Sequence, residues 1–308
     1  MATPVPRLAV FPKGYFDDLC AGRMSLFEWI DLAATLEVDG LELYPGFFAS
    51  FEDSYLDQVA AALKQHGLPM PMFCNSPDFT QPDPQARAAE LTQTRAMIDL
   101  VARFGGQTCR VLSGQALPDL ASEQALGWVV ESIGALLSHA EARGVTLVLE
   151  NHYKDGRWRY PEWAQRRERF LSILAALPSP WLGVNYDPSN AVLAGDDPYD
   201  LLAAVLPRVV TMHASDRYLA SGTLADLRQA DGTLGYSPHL RHGIIGQGMI
   251  DYDRLFSMLS AHGFGGWISI EDGEAGIAPL QESVAFLRKK IAQYWEIEGE
   301  SKRGNTLS

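Results

Sequence analysis

The segment VTLVLENH, residues 145–152, is a run of β-branched and aliphatic residues that ends in a carboxylate, Glu150. Three later segments repeat this plan, namely LGVNYDPSN at 182–190, VVTMHASD at 209–216 and GWISIEDG at 266–273. Their near-continuous apolar runs, without strict alternation, are typical of parallel strands that are covered on both faces. The four segments therefore predict buried strands, each followed by polar residues at its carboxyl end.

Similar apolar runs occur earlier in the chain and bring the predicted strands to eight. Amphipathic segments with helical spacing lie between them, and Gly67, Gly105 and Gly144 stand at or near their ends, as suits helix C-termini. Eight strands alternating with eight helices predict an α/β fold, a single (β/α)8 TIM barrel, with a doubly wound open sheet as the alternative. The predicted strands are 8–11, 41–44, 70–74, 108–112, 145–150, 182–186, 209–213 and 267–271, and the predicted helices are 24–37, 55–65, 84–104, 122–143, 164–177, 198–206, 251–262 and 279–294.

The barrel is expected to form one domain over residues 1–297, followed by a polar, frayed tail at 298–308. Two long connections, 151–163 and 214–250, follow strands and should lie on the face of the barrel where the strands end. Connections of this length inside a compact domain are usually either functional lids or disordered segments.

Composition and charge limit the kinds of molecule that the protein is expected to bind. The chain has 308 residues, of which 47% are hydrophobic and 20% charged, as in ordinary globular proteins. Its formal net charge of −13 argues against a nucleic-acid partner and against an anionic membrane surface. Three scattered cysteines favour a reducing compartment, and the sequence shows neither a signal peptide nor an apolar run of membrane-spanning length. We therefore expect a cytoplasmic protein that acts on a small molecule.

The polar residues that follow or end four consecutive predicted strands are Glu150, Asp187, His213 and Glu271. In a barrel these strand ends converge at one mouth, where catalytic residues collect. Three carboxylates around one point repel each other strongly, and a divalent cation removes that repulsion. Carboxylates with one imidazole favour Mn²⁺, then Mg²⁺, with Co²⁺, Fe²⁺ and Zn²⁺ as alternatives. The sequence thus predicts one bound divalent metal ion, and a structural salt-bridge network is the alternative.

This constellation resembles the xylose isomerase-like TIM-barrel superfamily, which includes ketose 3-epimerases, hydroxypyruvate isomerases, inosose dehydratases and endonuclease IV. The residues that carry the resemblance are Glu150 in LVLENH, Asp187 in VNYDPSN, His213 in TMHASD and Glu271 in SIEDG, with GLELYPG at 40–46 and GQGMIDY at 246–252 as further similarities. The resemblance implies that the four residues bind one divalent metal and that Glu150 and Glu271 also act as acid and base. Family members are often dimers or tetramers, so a homo-oligomer agrees with the resemblance.

Several reactions can follow from such a site. Loss of the proton next to a substrate carbonyl forms an enediolate, whose charge a divalent cation stabilises. Return of the proton on the opposite face gives epimerisation, return to the neighbouring carbon gives aldose–ketose isomerisation, and loss of a β leaving group gives elimination. We predict a metal-dependent isomerase or epimerase that acts on a ketose or keto-polyol. The alternatives are a lyase on the same scaffold, either an inosose-type dehydratase or an enzyme that eliminates an aglycone from a 3-keto glycoside, and a non-catalytic sugar-binding barrel.

The sequence departs from the epimerase pattern at two positions. Asn190 stands where epimerases commonly carry a substrate-contacting histidine, and an amide cannot act as an acid near neutral pH. Arg217 lies closer in sequence to His213 than the corresponding arginine of the epimerases. His152, two residues after Glu150, points to the same side if the strand continues, which makes it a candidate general acid or base. A structural histidine is the alternative, whereas a catalytic one favours the lyase.

Further substrate contacts are expected near the mouth. The predicted substrate-binding residues are Asn190, Arg217, Trp158 and His242. The aromatic rings of Phe47, Phe48, Trp158 and Tyr160 could stack on sugar rings or pack the loops onto the barrel, and both interpretations stay open. His239, Arg241 and His242 either cap the mouth or belong to a solvated loop, and the solvated loop is favoured.

Five other charged residues receive structural interpretations. Lys154 and Asp155 are interpreted as a solvated loop pair. Glu42 is either a partner of the metal ligands or a residue of the barrel rim, and the rim is favoured. Asp272 and Glu274 are interpreted as solvated loop charges beside the last ligand.

Overall fold

Eight parallel strands form a ring in the computed structural model, which describes residues 4–229, 239–271 and 273–295. The described residues form ten strands, eight in the ring and two, β8 and β9, outside it: β1 (Arg7–Val10), β2 (Gly40–Leu41), β3 (Met72–Cys74), β4 (Thr108–Val111), β5 (Thr146–Glu150), β6 (Leu182–Tyr186), β7 (Val209–Ala214), β8 (Arg217–Leu219), β9 (Leu240–His242) and β10 (Trp267–Ile270). The order around the sheet is β2-β1-β10-β7-β6-β5-β4-β3, and β8 pairs with β9 in a separate antiparallel hairpin. The predicted (β/α)8 barrel is confirmed.

The ring closes between β2 and β3, the two ends of the strand order. A single parallel bridge joins Leu43 to Phe73, and the N–H of Cys74 donates to the carbonyl of Leu43 over 2.7 Å. The N–H of Leu41 also donates to the carbonyl of Pro69 over 3.0 Å. Closure brings the carboxyl ends of all eight ring strands to one mouth.

Helices cover the outside of the ring and bury one apolar stripe each against it. On α2 (Leu26–Ala33), for example, Trp29 and Ile30 are fully buried, and on α10 (Tyr252–His262) Leu255 and Phe256 are fully buried. The helices are α1 (Phe16–Cys20), α2 (Leu26–Ala33), α3 (Asp53–Gln65), α4 (Pro84–Arg103), α5 (Ser122–Arg143), α6 (Arg167–Ala176), α7 (Pro188–Ala194), α8 (Pro198–Val205), α9 (Leu224–Gln229), α10 (Tyr252–His262) and α11 (Ile277–Trp295). Within the described ranges, no helix is both long and apolar enough to cross a membrane.

All eight predicted strands and all eight predicted helices are present, with shifted ends. The first predicted helix, 24–37, is shorter because Ser25 and Glu28 form a reciprocal capping box that starts α2 at Leu26. The second predicted strand, 41–44, is shorter because the chain turns into a 3-10 helix at Pro45–Phe47. Residues 298–308, the predicted tail, lie outside the described residues, so the division at residue 297 stays a prediction.

Extra elements follow several ring strands on the mouth side. Helix α1 follows β1, helix α7 follows β6, and the connection 214–250 contains the hairpin β8–β9 and helix α9. Sequence periodicity did not predict them because each is too short to show a stripe of its own. Among them, α1 and β9 contribute Phe16, Asp17, Cys20 and His242 to the lining of the cavity at the mouth.

Candidate metal centre and active site

The four predicted metal ligands converge at the mouth. Glu150 is the last residue of β5, His213 lies in β7, Asp187 follows β6, and Glu271 follows β10. All four are buried, and one ligand atom from each lies within 4.8 Å of the ligand atoms of the others. The structure therefore brings together the four residues that the sequence predicted to share one point.

Two carboxylate oxygens of this cluster have no hydrogen-bond partner among the described residues, namely Asp187 Oδ2 and Glu271 Oε2. Asp187 is the N-cap of α7, and its other oxygen, Oδ1, accepts from the N–H of Asn190 over 3.0 Å. Buried oxygens without partners are costly, and a cation removes that cost. Three carboxylates and one imidazole are ligand types for a divalent metal ion, so the donor set fits the predicted group.

Glu42 fixes the orientation of the imidazole of His213. Its Oε2 lies 2.9 Å from His213 Nε2, while His213 Nδ1 lies 3.3 Å from Glu150 Oε1 and 3.7 Å from Glu271 Oε2. The thiol of Cys74 also donates to Glu42 Oε2, over 3.4 Å. The preferred interpretation of Glu42 as a rim residue is wrong, because it is fully buried and turned towards the ligands. A carboxylate behind an imidazole orients the ring for a metal.

In the absence of a metal ion, positively charged side chains partly balance the negative charges of the carboxylates in the cluster. Burial would lower the pKa of His213, but Glu150 and Glu42 outweigh it and hold the pKa well above its usual value. Burial would raise the pKa of Glu150, but His213 and Arg110 hold it well below its usual value. For Asp187, burial is the largest effect, and the negative charges of Glu271 and Glu150 act in the same direction. The positive charge of Arg217 does not outweigh them, so the pKa of Asp187 is raised to about 7. In the absence of a metal ion, the neighbouring carboxylates thus favour the protonated form of His213.

Arg110 is a residue of the candidate site that the sequence did not lead us to expect. It lies in β4, and its guanidinium donates to Glu150 Oε2 over 2.8 Å, with both side chains almost completely buried. Its other nitrogens donate to the carbonyl of Asn75 and to Ser76 Oγ. The signal was present, because a charged residue within the apolar strand TCRVL needs a buried partner. Arg110 holds one ligand carboxylate in place from the cavity side.

A cavity of about 580 Å³ opens beside the cluster. Phe11, Phe16 and Tyr44 form an aromatic wall, and the polar residues in its lining include Lys13, Arg110, His152, His242 and Glu271. Lys13 Nζ lies 3.4 Å from Glu271 Oε1. Although burial would raise the pKa of Glu271, Lys13 and His213 lower it to about 2. The cavity therefore has room for a sugar or polyol next to an ionised carboxylate.

The remaining catalytic and substrate-binding candidates divide into two groups. His152 and His242 lie in the cavity lining, and burial is the main cause that lowers the pKa of each, that of His152 to about 4. Asn190 and Arg217 lie beside the ligands, because Asn190 Nδ2 is 3.3 Å from Glu150 Oε1 and Arg217 donates to Asn190 Oδ1. Trp158 is buried but is not part of the cavity lining. Their contacts with substrate stay predictions.

Of the four aromatic rings for which stacking on sugar and packing of loops both stayed open, none is part of the cavity lining. The ring of Phe47 packs 5.6 Å from Phe16 and 5.5 Å from Tyr44, centroid to centroid. Phe48 packs against Phe73 and the outer helices. These two rings therefore pack the loops onto the barrel, and the rings that face the cavity are others.

The interpretation of Lys154 and Asp155 as a solvated pair is wrong, since both are buried. The connection 151–163 folds inward, held by hydrogen bonds from Glu162 N to Tyr153 O and from Trp163 N to Gly114 O. The solvated-loop interpretation suits Arg241, which is exposed, but not His242 in the cavity wall. For the last pair of charges, Glu274 is half-buried, and Asp272 lies outside the described residues.

The ring of parallel strands is a (β/α)8 barrel, and the four residues at its strand ends form a cluster that could hold a metal ion. The profile of the family described as xylose isomerase-like TIM barrel matches residues 30–290. The chain belongs to this family.

Individual relatives are similar to the chain at different levels. The 3-oxo-isoapionate decarboxylase of Pectobacterium atrosepticum is 33% identical over 85 residues, which are 28% of this chain and 27% of that protein. This match thus spans about a quarter of the length of the curated relative. A D-tagatose 3-epimerase-like protein superimposes with a TM-score of 0.71 at 17% identity, covering 96% of this chain and 99% of that chain. The IOLI protein with a zinc atom gives a TM-score of 0.70 at 18% identity, with coverages of 94% and 99%. At these identities the structural likeness shows the fold.

Binding of Mn²⁺ is expected to tighten as the pH rises from about 6 to about 8. The raised pKa of Asp187, about 7, leaves it largely protonated at the lower pH and ionised at the higher. His213 must also give up its proton to bind a cation. Each displaced proton strengthens binding about tenfold per pH unit. Titration calorimetry in two buffers of different ionisation enthalpy measures both the affinity and the protons released, and an affinity independent of pH would contradict the assignment of these ligands.

Proposed function

We propose that the chain is a divalent-metal-dependent enzyme that isomerises or epimerises a ketose or keto-polyol through an enediolate. The observation that supports this proposal is the buried cluster of Glu150, Asp187, His213 and Glu271 next to a cavity of sugar size. Mn²⁺ is the proposed native ion, because the donor set is rich in oxygen and contains one nitrogen.

The four residues of the cluster would hold the ion. When bound, the ion would supply positive charge that stabilises the enediolate oxygens. Glu271 is ionised and lies in the cavity lining, so it can accept the proton from the carbon next to the carbonyl. Glu150, fixed by Arg110, is the proposed partner on the opposite face. Because its surroundings favour the ionised form, the proton that it returns has to be taken up from solvent during the reaction. His152 is the proposed further proton-transfer group in the cavity wall.

Substrate recognition is proposed for the polar groups around these carboxylates. Asn190 and Arg217 would act next to Glu150, and His242 would contact substrate from the cavity wall. Trp158 would contact the part of a substrate that extends beyond the cavity. The aromatic wall offers flat apolar surface to the C–H faces of a sugar.

A lyase on the same scaffold is the second candidate function. Asn190 and Arg217 depart from the epimerase pattern, and one relative of the chain is named as a decarboxylase of a 3-oxo acid. Loss of carbon dioxide from a β-keto acid leaves an enolate, which is the same kind of enediolate that proton removal gives when the carbon that held the carboxylate also carries a hydroxyl group. Dehydration or loss of an aglycone from a 3-keto glycoside would also proceed from it. The common step is enediolate formation, and the fate of the enediolate separates the two candidates.

The experiment is incubation of the Mn²⁺-loaded protein in deuterated water with ketoses, keto-inositols, 3-keto glycosides and 3-oxo sugar acids. We expect an isomeric product that carries solvent deuterium. The label should lie on the carbon that was deprotonated if the reaction is an epimerisation, and on the neighbouring carbon if it is an aldose–ketose isomerisation. An unsaturated product, a released aglycone or carbon dioxide would overturn the isomerase in favour of the lyase. Bound metal and bound sugar without exchange of any substrate proton would overturn both, and leave a binding protein.

A further inference from the structure

A second buried carboxyl lies behind the cavity, outside the metal cluster. Glu162 stands in the connection 151–163, and its Oε1 accepts two hydrogen bonds from Ser113, one from the N–H over 2.7 Å and one from Oγ over 2.9 Å. Its Oε2 is buried and has no hydrogen-bond partner within the described part of the chain. Burial, only partly offset by Ser113, raises the pKa of Glu162 well above its usual value. These surroundings favour the neutral form of the carboxyl, and Oε2 is the oxygen left to carry the proton because Oε1 already accepts two hydrogen bonds.

The Oε2 atom of Glu162 lies close to a candidate catalytic residue, His152. His152 Nδ1 lies 3.7 Å from Glu162 Oε2, and it too is buried with no hydrogen-bond partner in the ranges that the structure describes. The ring of His152 lies in the cavity lining with Glu271 and Arg110. An O–H group and a ring nitrogen without partners thus face each other, slightly beyond hydrogen-bond distance.

We propose that Glu162 is a positioning residue that donates its O–H to His152 Nδ1 and so fixes the ring tautomer that carries its proton on Nε2. A neutral imidazole holds one ring proton, and the partner of one nitrogen decides which nitrogen carries it. With Nδ1 occupied as an acceptor, the Nε2–H on the other edge of the ring is a donor to a substrate oxygen. No proton leaves Glu162 in this role.

The backbone around Glu162 is fixed without its Oε2. The N–H of Glu162 donates to the carbonyl of Tyr153 over 2.8 Å, and residues Gln115 and Glu162 form an antiparallel bridge. The N–H of Ala164 donates to Ser113 Oγ over 3.0 Å. Oε2 is therefore not needed for the path of the loop, and an approach of less than about 1 Å would bring it within hydrogen-bond distance of His152.

The inference rests on the proposed function only in taking the cavity as the substrate site. Its first test needs no substrate. In Mg²⁺-loaded protein labelled with ¹⁵N-histidine, the ring signals of His152, assigned by their absence in His152→Asn, are expected to show the proton on Nε2. Wild-type protein with the proton on Nδ1 would overturn the proposal, because Glu162 would then be an acceptor.

Two variants of Glu162 distinguish a side chain that donates a hydrogen bond to His152 from one that only fills the space beside it. Glu162→Gln keeps a donor opposite His152 Nδ1 and should keep the Nε2–H tautomer and most of the turnover. Glu162→Met keeps the length of the side chain but offers no donor, so we expect mixed tautomers and kcat lowered about 10- to 100-fold, with thermal stability tracked alongside. Equal losses in both variants would overturn the positioning role. Wild-type turnover in Glu150→Gln and Glu271→Gln would remove the proposed function, while the tautomer measurement would still decide the role of Glu162.

Discussion

Glu271→Gln is expected to lower kcat by about 10⁴-fold, the upper end of the contribution of general acid–base catalysis. The variant loses the carboxylate that lies in the cavity lining and, with it, one of the four converging ligand atoms. Glutamine has nearly the same shape, and Glu271 Oε2 has no hydrogen bond to lose among the described residues, so the fold should remain intact. Turnover of the substrate found by deuterium exchange, together with Mn²⁺ affinity, measures the effect.

Glu150→Gln should reduce turnover to a similar extent, because the two carboxylates have complementary roles in the proposed reaction. The matched control is Glu123→Gln, since Glu123 is an exposed glutamate in the first turn of α5. Wild-type rates in either active-site variant would rule out a mechanism with two carboxylates. Loss of activity in the control would point to a general effect of the substitution.

Arg110→Met is expected to destabilise the metal-free protein by about 3–5 kcal/mol, the usual effect of breaking a buried ion pair from one side. Glu150 would remain in the interior as a carboxylate without its guanidinium partner. Because whole domains are stable by only about 5–15 kcal/mol, such a loss is large. Denaturant unfolding followed by circular dichroism measures it, and saturating Mn²⁺ should recover part of the loss by balancing the charge of Glu150.

Two further variants test whether the lost ion pair is the cause. The double variant Arg110→Met, Glu150→Gln removes both charges and should be more stable than Arg110→Met alone. Arg103→Met removes an exposed arginine that pairs with Asp53 and Asp57 on the surface, and solvent screening makes its effect small. A double variant no more stable than Arg110→Met would show that the packing of Arg110, and not its charge, stabilises the site.

The fold was predictable because its signals are local. Each ring strand is a short apolar run, and Gly144, with a positive φ at the end of α5, is one of the glycines that stop the helices between strands. Strand ends in a barrel share one mouth, so Glu150, Asp187, His213 and Glu271 could be grouped from their positions alone. The exact ends of β2 and α2 depended on a turn and on a capping box, which shift boundaries by a few residues.

The missed parts of the site depend on contacts between distant segments. Glu42 bonds to His213, which lies 171 positions away in the chain, and only ring closure brings them together. Lys154 and Asp155 are buried because the connection 151–163 folds back over the mouth, which its polar composition does not indicate. Arg110 was the exception, since a charge inside an apolar strand is a local signal of a buried partner.

The seam between β2 and β3 has the thinnest pairing of the ring, one bridge between Leu43 and Phe73. The neighbours of that bridge in the chain, Glu42 and Cys74, are also the residues that extend from the seam towards His213. Opening of the barrel between β2 and β3 would therefore displace Glu42 and weaken its hydrogen bond to the imidazole of His213. A cation held by the four candidate ligands would link the ends of β5, β6, β7 and β10. Loss of that cation would therefore lower the stability of the barrel and the activity of the site together.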